Sequence, residues 1–355
     1  MLDACCSTGR AAYTSGDRLG SEAIRLSRKI LTSAEASLGD MRTPAKHIIL
    51  DTDPGVDDAL AFMLAFNSPE LSVEAVTTVV GNVSQEKCHR NARQLLEFLG
   101  RTDAPVCKGA VKPLLRETRD AEGFHGKTGL GDAILPEPKM KSDARNATQV
   151  IHQKAGELGK DLTLVAIGPL TNVAAALVSD PTLAETVNGL IIMGGAFNLT
   201  PYGLGNANAV AEFNVWHDPE AARIVFNSGI PMVCAGLDTT THPDYRMSPA
   251  MFEEIKARDT RKSRLVADLC GGLVRRFSGF SLHDPMAVSY AIDPTIFRTE
   301  KCKVDVETQG EFTRGMTVVD RRRYHRANDT PNAEVIVEVD AKRFHRLIAE
   351  RVVED

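Results

Sequence analysis

The sequence lacks several features that mark whole classes of protein. No apolar run among its 355 residues reaches the ~20 residues needed to span a bilayer. The formal net charge is −5 and both signs are mixed along the chain, which leaves no basic footprint for nucleic acid. The seven cysteines are odd in number and form no CxxC pair, so a disulfide framework and secretion are disfavoured. We therefore expect a cytoplasmic protein that binds neither membranes nor nucleic acids.

Residues 1–44 differ in composition from the rest of the chain. They are rich in Ser, Ala, Gly and Arg, and they contain acidic as well as basic residues. Acidic residues argue against a mitochondrial transit peptide, and the apolar core of a secretory signal is missing. We predict a poorly ordered N-terminal extension over residues 1–44, in which Met41 is an alternative start, followed by one domain over residues 45–355.

From Lys46 onward, short apolar segments alternate with helical patterns. Strands are predicted at 47–51, 73–80, 162–168, 189–194, 232–237, 302–308, 316–320 and 334–339, and helices at 56–67, 85–99, 171–179, 219–227 and 341–353. This alternation predicts an α/β fold with an open, mainly parallel sheet and crossover helices. The early strands are apolar throughout, as expected when helices cover both faces of the sheet.

Polar or glycine-rich turns follow four of the predicted strands. They occupy residues 51–58, 81–82, 168–172 and 194–195. The ligand crevice of such a sheet lies beyond the carboxyl ends of its strands. The sequence therefore predicts that these four turns form a single site.

Four carboxylates are crowded into the first of these turns. They belong to Asp51, Asp53, Asp57 and Asp58, and no Lys, Arg or His occurs between residues 48 and 86. A helix N-terminus stabilises one or two negative charges, and a helix cap needs only one acid. Protonation, distant cationic partners or a metal ion must balance the others. A hard divalent cation with oxygen ligands is the favoured interpretation.

Three other segments carry candidate functional residues. His283 precedes Asp284-Pro285, although Asp-Pro alone is a common helix start. Glu212 and Asn214 would project to one side of an extended segment and suit sugar hydroxyls, with an ordinary polar loop equally compatible. The glycine-rich segment 123–132 lacks the order of a phosphate-binding loop and predicts a flexible lid.

The segment 51–58, DTDPGVDD, resembles the DxDPGxDD motif of the nucleoside hydrolases, the inosine–uridine-preferring N-ribohydrolase family. Further family motifs follow in the expected order: Val80-Gly81-Asn82, His125-Gly126, Gly168-Pro169-Leu170-Thr171-Asn172, Met193-Gly194-Gly195, Ala211-Glu212-Phe213-Asn214 and His283-Asp284-Pro285. The resemblance covers essentially residues 46–355. It implies an open α/β fold, one Ca²⁺ at the base of the pocket, and a homodimer or homotetramer.

The resemblance also assigns roles to individual residues. The Ca²⁺ ligands would be Asp53, Asp58, the backbone carbonyl of Thr171 and Asp284. The ribose hydroxyls would be held by Asp57, Asn82, Asn206, Glu212 and Asn214, and Met193 would line the sugar pocket. His283 would assist the departing base, and His125 would approach the base from a mobile loop. Residues 197–204 lengthen one family loop, which leaves the shape of the nearby pocket edge open.

These observations predict Ca²⁺-dependent hydrolysis of the N-glycosidic bond of ribonucleosides to free base and ribose. Asp53 would activate the attacking water and His283 would assist the leaving base. One alternative is a haloacid-dehalogenase-type phosphatase, because Asp51-Thr52-Asp53 after an apolar strand resembles its DxD motif. A second alternative is a non-catalytic nucleoside-binding protein that keeps the same pocket.

Overall fold

An eight-stranded sheet organises the fold. The structure, a computed structural model, describes residues 45–322 and 330–353, so the prediction for residues 1–44 lies outside the described residues. The strands are β1 (Lys46–Thr52), β2 (Leu71–Thr78), β3 (Val106–Lys108), β4 (Leu162–Ala166), β5 (Gly189–Met193), β6 (Met232–Ala235), β7 (Phe297–Cys302), β8 (Val304–Val306), β9 (Thr317–Val319) and β10 (Ala333–Val339). The order in the main sheet is β3-β2-β1-β4-β5-β6-β10-β7, and β8 pairs with β9 separately.

All neighbouring strands of the main sheet run parallel except β10 and β7, which pair antiparallel. The chain order reverses between β1 and β4, and a parallel sheet opens a crevice at such a reversal. The predicted α/β class with a mainly parallel sheet is confirmed. Among the described residues, no helix is both long and apolar enough to cross a membrane.

Helices cover both faces of the sheet. They are α1 (Val56–Phe66), α2 (Gln85–Leu99), α3 (Glu122–His125), α4 (Ala147–Leu158), α5 (Thr171–Ser179), α6 (Leu183–Thr186), α7 (Phe213–His217), α8 (Pro219–Phe226), α9 (Leu237–Thr240), α10 (Pro249–Ala257), α11 (Arg261–Phe277), α12 (His283–Ile292) and α13 (Ala341–Arg351). Successive strand residues point to opposite faces, so Ile48 and Leu50 enter one hydrophobic core and Ile49 enters the other. The continuous apolar runs of the strands follow from this double burial.

Local sequence signals set several helix boundaries. Ser84 caps α2 by accepting a hydrogen bond from the amide of Lys87, and Gly100 ends the helix in the left-handed conformation. The predicted bounds of this helix and of α5 agree with the structure. Strands β3 and β7 were not predicted. β3 has only three residues, and β7 is a largely exposed edge strand, FRTEKC, without an apolar run.

Candidate active site

The predicted site residues meet in a cavity of about 500 Å³ at the carboxyl ends of the central strands. It is lined by His283, Asp284 and all the predicted substrate-binding residues, namely Asp57, Asn82, His125, Met193, Asn206, Glu212 and Asn214. A larger cavity of about 790 Å³ lies at the opposite ends of the strands, beside Lys46 and Pro231. That second cavity contains none of the predicted site residues.

Three buried carboxylates cluster at the floor of the cavity. Oxygen atoms of Asp57, Asp58 and Asp284 all lie within 4.8 Å of one another. Asp57 and Asp58 come from the first turn of α1, whereas Asp284 comes from the first turn of α12. The sheet thus brings together acids that are more than 200 residues apart in the chain. Asp57 takes the place in this cluster that we expected for Asp53.

Among the described residues, no lysine or arginine forms an ion pair with these acids, and His125, whose Nδ1 lies 3.9 Å from Asp57, is neutral. Burial, followed by the charges of its acidic neighbours, raises the pKa of Asp284 well above its ordinary value. Burial and then the charge of Asp58 raise the pKa of Asp57 to about 8. One carboxylate oxygen each of Asp53 and Asp57 is buried without a hydrogen-bond partner among the described residues. Orphaned oxygens in an acidic cluster are the donor set that a hard metal ion needs, so the site can hold one.

Asp53 lies beside this cluster, in contact with two glycines. Its Oδ2 accepts a hydrogen bond of 2.7 Å from the backbone amide of Asn82. A Cβ atom would lie 2.0 Å from Oδ2 if added at Gly81, and 2.6 Å from Oδ1 if added at Gly168. These close approaches explain why both turns require glycine. The charge of Asp53 contributes to the raised pKa of Asp284, so the two carboxylates are close enough to repel each other.

Asp58 also caps the helix that carries it. Its carboxylate accepts hydrogen bonds from the hydroxyl of Thr52 at 2.5 Å, the amide of Gly55 at 2.8 Å and the side chain of Asn82 at 3.0 Å. The capping interpretation is therefore correct for this acid, but it accounts for one of the four. Thr171, whose carbonyl we expected as a ligand, begins α5 and donates its hydroxyl to Asp218 at 2.7 Å.

The amides predicted to bind ribose also hold the cavity wall together. Asn214 donates its side-chain amide to the carbonyls of Ile167 and Met193, at 3.0 and 3.1 Å, where β4 and β5 end. Asn206 accepts from the amide of Phe213 at 2.9 Å. The same side chains that line the cavity thus fix the strand ends around it.

The predicted extended segment at Glu212 and Asn214 is wrong. Glu212 is instead the N-cap of the short helix α7, and Asn214 lies in its first turn. The Glu212 carboxylate accepts from the amides of Asn214, Val215 and Gly195 at 2.8 to 3.1 Å. A carboxylate has about four acceptor positions, so the three amides leave room for one hydroxyl donor. Both residues reach the cavity because the helix start faces it.

Both candidate histidines are neutral near pH 7. The amide of Val56 donates to Nδ1 of His125 at 3.1 Å, so the hydrogen of this neutral ring is on Nε2. His283 Nδ1 forms a hydrogen bond of 2.7 Å with the hydroxyl of Thr240. Burial, and then the charge of His283, lowers the pKa of His125 to about 3. Burial, and then the charge of Arg246, lowers the pKa of His283 to about 4.

The glycine-rich segment that we predicted as a lid packs against the site in this structure. It begins in α3 and continues through turns, and His125 within it is buried. Asn91 holds the segment by donating to the carbonyl of Thr128 at 2.8 Å. Its flexibility stays a prediction.

The longer loop at 197–204 does not contribute to the cavity. The amides of Phe197, Leu199 and Thr200 donate to the buried carboxylate of Asp238. Phe197 packs on Phe226 with ring centroids 6.5 Å apart. The additional residues thus form an ordered loop that lies outside the cavity lining.

Sequence motifs did not identify the outer part of the cavity. Its lining includes three aromatic rings, Phe124, Phe277 and Phe280, and the guanidinium of Arg246. Phe124 and Phe277 stack with ring centroids 5.8 Å apart, although they belong to α3 and α11. A phenylalanine at the end of an amphipathic helix looks like a core residue in the sequence, and Arg246 belongs to no motif.

Fold and site together define a hydrolase that acts on glycosidic bonds of nucleosides. The phosphatase alternative required a nucleophilic Asp51, but this residue is buried outside the cavity lining and accepts from Thr77 and Asn172. Residues 48–346 match the model of the inosine-uridine preferring nucleoside hydrolases. The chain belongs to this family, and its reaction class is the hydrolysis of ribonucleosides.

Individual relatives agree with this assignment. The chain is 43% identical over 312 residues to the pyrimidine-specific ribonucleoside hydrolase RihA of Shigella flexneri, an alignment that covers 86% of this chain and 97% of the relative. The solved plant nucleoside hydrolase PpNRh1 superposes with a TM-score of 0.80 and 35% identity over 88% of this chain and all of the other. The purine-preferring ribonucleoside hydrolase from Gardnerella vaginalis gives 0.79 and 33% over 87% and 98%.

Proposed function

We propose that residues 45–355 form one catalytic domain that uses Ca²⁺ to hydrolyse ribonucleosides to free base and ribose. One observation carries this proposal: every predicted substrate-binding residue and His283 line a single cavity above a buried acidic cluster. These residues lie between positions 57 and 284 of the chain, and side chains without a shared function are not expected to meet at one end of the sheet.

The residues present fit Ca²⁺. Asp53, Asp58 and Asp284, with the carbonyl of Thr171, offer only oxygen donors, which hard cations prefer. Asp57, which shares the cluster, would divide its oxygens between the ion and a ribose hydroxyl. When bound, a divalent cation supplies Lewis-acid chemistry that makes a water molecule more acidic.

Asp53 is the general base in this proposal. It is fully buried, and the amide of Asn82 fixes its Oδ2 while its Oδ1 has no partner among the described residues. The free oxygen can accept a proton as water attacks the anomeric carbon. A positioned general base is worth roughly 10²–10⁴ in rate.

The ribose would be held by Asp57, Asn82, Asn206, Glu212 and Asn214, with Met193 beneath it. Several of these groups already hold backbone atoms, so their remaining donors and acceptors are preorganised. Hydroxyl contacts made over the whole sugar can favour the flattened, oxocarbenium-like geometry of the transition state.

His283 and His125 would act on the base. If Nδ1 of His283 accepts from Thr240, its Nε2 carries a hydrogen that can be donated to the departing base. His125 already has its Nδ1 occupied and would donate from Nε2 as well. Each neutral imidazole would then serve as a hydrogen-bond donor to the departing base.

We propose a homodimer or homotetramer, which the family resemblance supports, and a cytoplasmic location, which the odd number of cysteines without a CxxC pair supports. Light scattering of the purified protein tests the first, and fractionation of the native cells tests the second.

Ribose release separates this function from its alternatives. The Ca²⁺-loaded protein is incubated with uridine, inosine and p-nitrophenyl phosphate, and ribose and phosphate are measured. Asp53→Asn should lower ribose release at least 100-fold and still bind uridine, whereas Asp103→Asn on the surface should change neither. Tight nucleoside binding by the wild-type protein without ribose release would support a binding protein, and phosphate release would support a phosphatase.

A further inference from the structure

Arg246 lies on the wall of the cavity and no role has been assigned to it. Its backbone is fixed because the neighbouring Met247 exchanges two hydrogen bonds with Phe280, at 2.8 and 2.9 Å. Its side chain lines the cavity together with Phe280 and Ser281. The position of this arginine is therefore set by a contact between two segments that are about 30 residues apart.

The guanidinium group has spare hydrogen-bond donors. Nη2 donates to the carbonyl of Gly279 at 2.9 Å, and Nη1 has no hydrogen-bond partner among the described residues. Nε also lacks a partner but is buried. Within the described part of the chain, no carboxylate forms an ion pair with Arg246. The cavity acids do not neutralise it either, because Asp57 and Asp284 belong to the floor cluster and Glu212 is occupied by three amides. An unpaired cation remains on the wall.

This cation lies on the base side of the cavity. Arg246 donates to the carbonyl of Gly279, four residues before His283, and both Arg246 and His283 line the cavity. His283 is the group assigned to the base. Phe277 also lines the cavity and stacks with Phe124, and about two fifths of each of these two residues is exposed. A planar base beneath these rings would present its polar edge to the neighbouring wall.

A guanidinium group donates hydrogen bonds and accepts none. Keto bases present acceptors along their edge, such as O6 and N7 of a purine or O4 of uracil, whereas adenine and cytosine place an amino donor there. We propose that Arg246 is a specificity-determining residue that makes this site prefer nucleosides of keto bases, such as uridine and inosine, over those of amino bases, such as cytidine and adenosine. The inference rests on the proposed nucleoside hydrolysis and adds the class of base to it.

The test compares substrate ratios rather than rates. For wild type, Arg246→Met, Arg246→Lys and the exposed control Arg258→Met, kcat/KM is measured with uridine, cytidine, inosine and adenosine. Intrinsic differences between leaving groups cancel when the keto-to-amino ratio of a variant is divided by that of wild type. Arg246→Met should lower this ratio about tenfold or more, Arg246→Lys should lower it less, and Arg258→Met should leave it unchanged.

Equal losses on all four substrates in Arg246→Met would overturn the inference, as would an unchanged ratio. Circular dichroism confirms folding, and if Arg246→Met does not fold, Arg246→Lys decides, because lysine keeps the charge but cannot bridge two acceptors. If wild type releases no ribose from any nucleoside, the proposed function fails separately. In that case the dissociation constants of uridine and cytidine are measured for wild type and for Arg246→Met. The ratio of the two constants must differ between these proteins, and an unchanged ratio overturns the inference.

Discussion

Replacing Gly81 with alanine should displace the proposed catalytic base without changing any charge. The new Cβ would lie 2.0 Å from Oδ2 of Asp53 and 2.9 Å from Cδ of Pro169, and Cβ contacts under 3.0 Å are essentially never observed. The Asp53 carboxylate or the turn must therefore move by about 1 Å. A displacement of that size in a catalytic constellation can lower the rate ~10²-fold, so we expect a fall in kcat of this order.

The matched control is Gly156→Ala. Gly156 lies in α4, and a Cβ there would meet no atom within 4 Å. Alanine is better than glycine inside a helix by up to about 1 kcal/mol, so this variant should be at least as stable as wild type and equally active. Ribose release from uridine gives kcat, and circular dichroism gives the melting temperature. A folded Gly81→Ala protein that keeps its rate within about threefold would refute the proposed role of Asp53.

Three further predictions follow from the site and the core. A chelator should lower the melting temperature by several degrees, because a metal at 100 times its Kd contributes about 2.7 kcal/mol, and Asp284→Asn should remove this shift whereas Asp161→Asn should not. His283→Ala should slow inosine cleavage ~10²-fold or more but affect p-nitrophenyl riboside much less; equal losses would remove His283 from base departure. Burial lowers the pKa of His217 to about 4, below the ordinary 6.5, so the unfolded chain binds more protons between these values. The contribution of His217 to stability in urea should be complete above pH 6.5 and fall by about 3 kcal/mol towards pH 4. His217→Phe, unlike His152→Gln, should remove this part of the pH dependence, to which the buried His125 and His283 also contribute.

The location of the site was predictable because a short sequence pattern indicates it. The acidic turn follows an apolar strand directly, and strand ends of a parallel sheet share one edge. The start and end of α2 were also predictable from the local sequence, because Ser84 supplies a side-chain cap and Gly100 adopts a conformation that favours glycine.

The shape of the outer cavity was not predictable from local patterns. Arg246 is held at the wall by the pairing of Met247 with Phe280 and by its own hydrogen bond to Gly279, tertiary contacts that leave no periodicity in the sequence. The error at Glu212 had a different cause. Alternation of two polar residues fits a strand, but this carboxylate caps a helix by accepting the amides of Asn214 and Val215, and a capping acid gives the same local sequence.

The most direct test measures ribose released from uridine, cytidine, inosine, adenosine and guanosine by the protein with Ca²⁺, after chelation, and after Ca²⁺ is restored. We predict stoichiometric base and ribose with the metal, a loss of at least 100-fold on chelation, and recovery when Ca²⁺ returns. Ribose release that is unaffected by chelation would contradict the metal-dependent mechanism, and no release from any of the five nucleosides would contradict the proposed function itself.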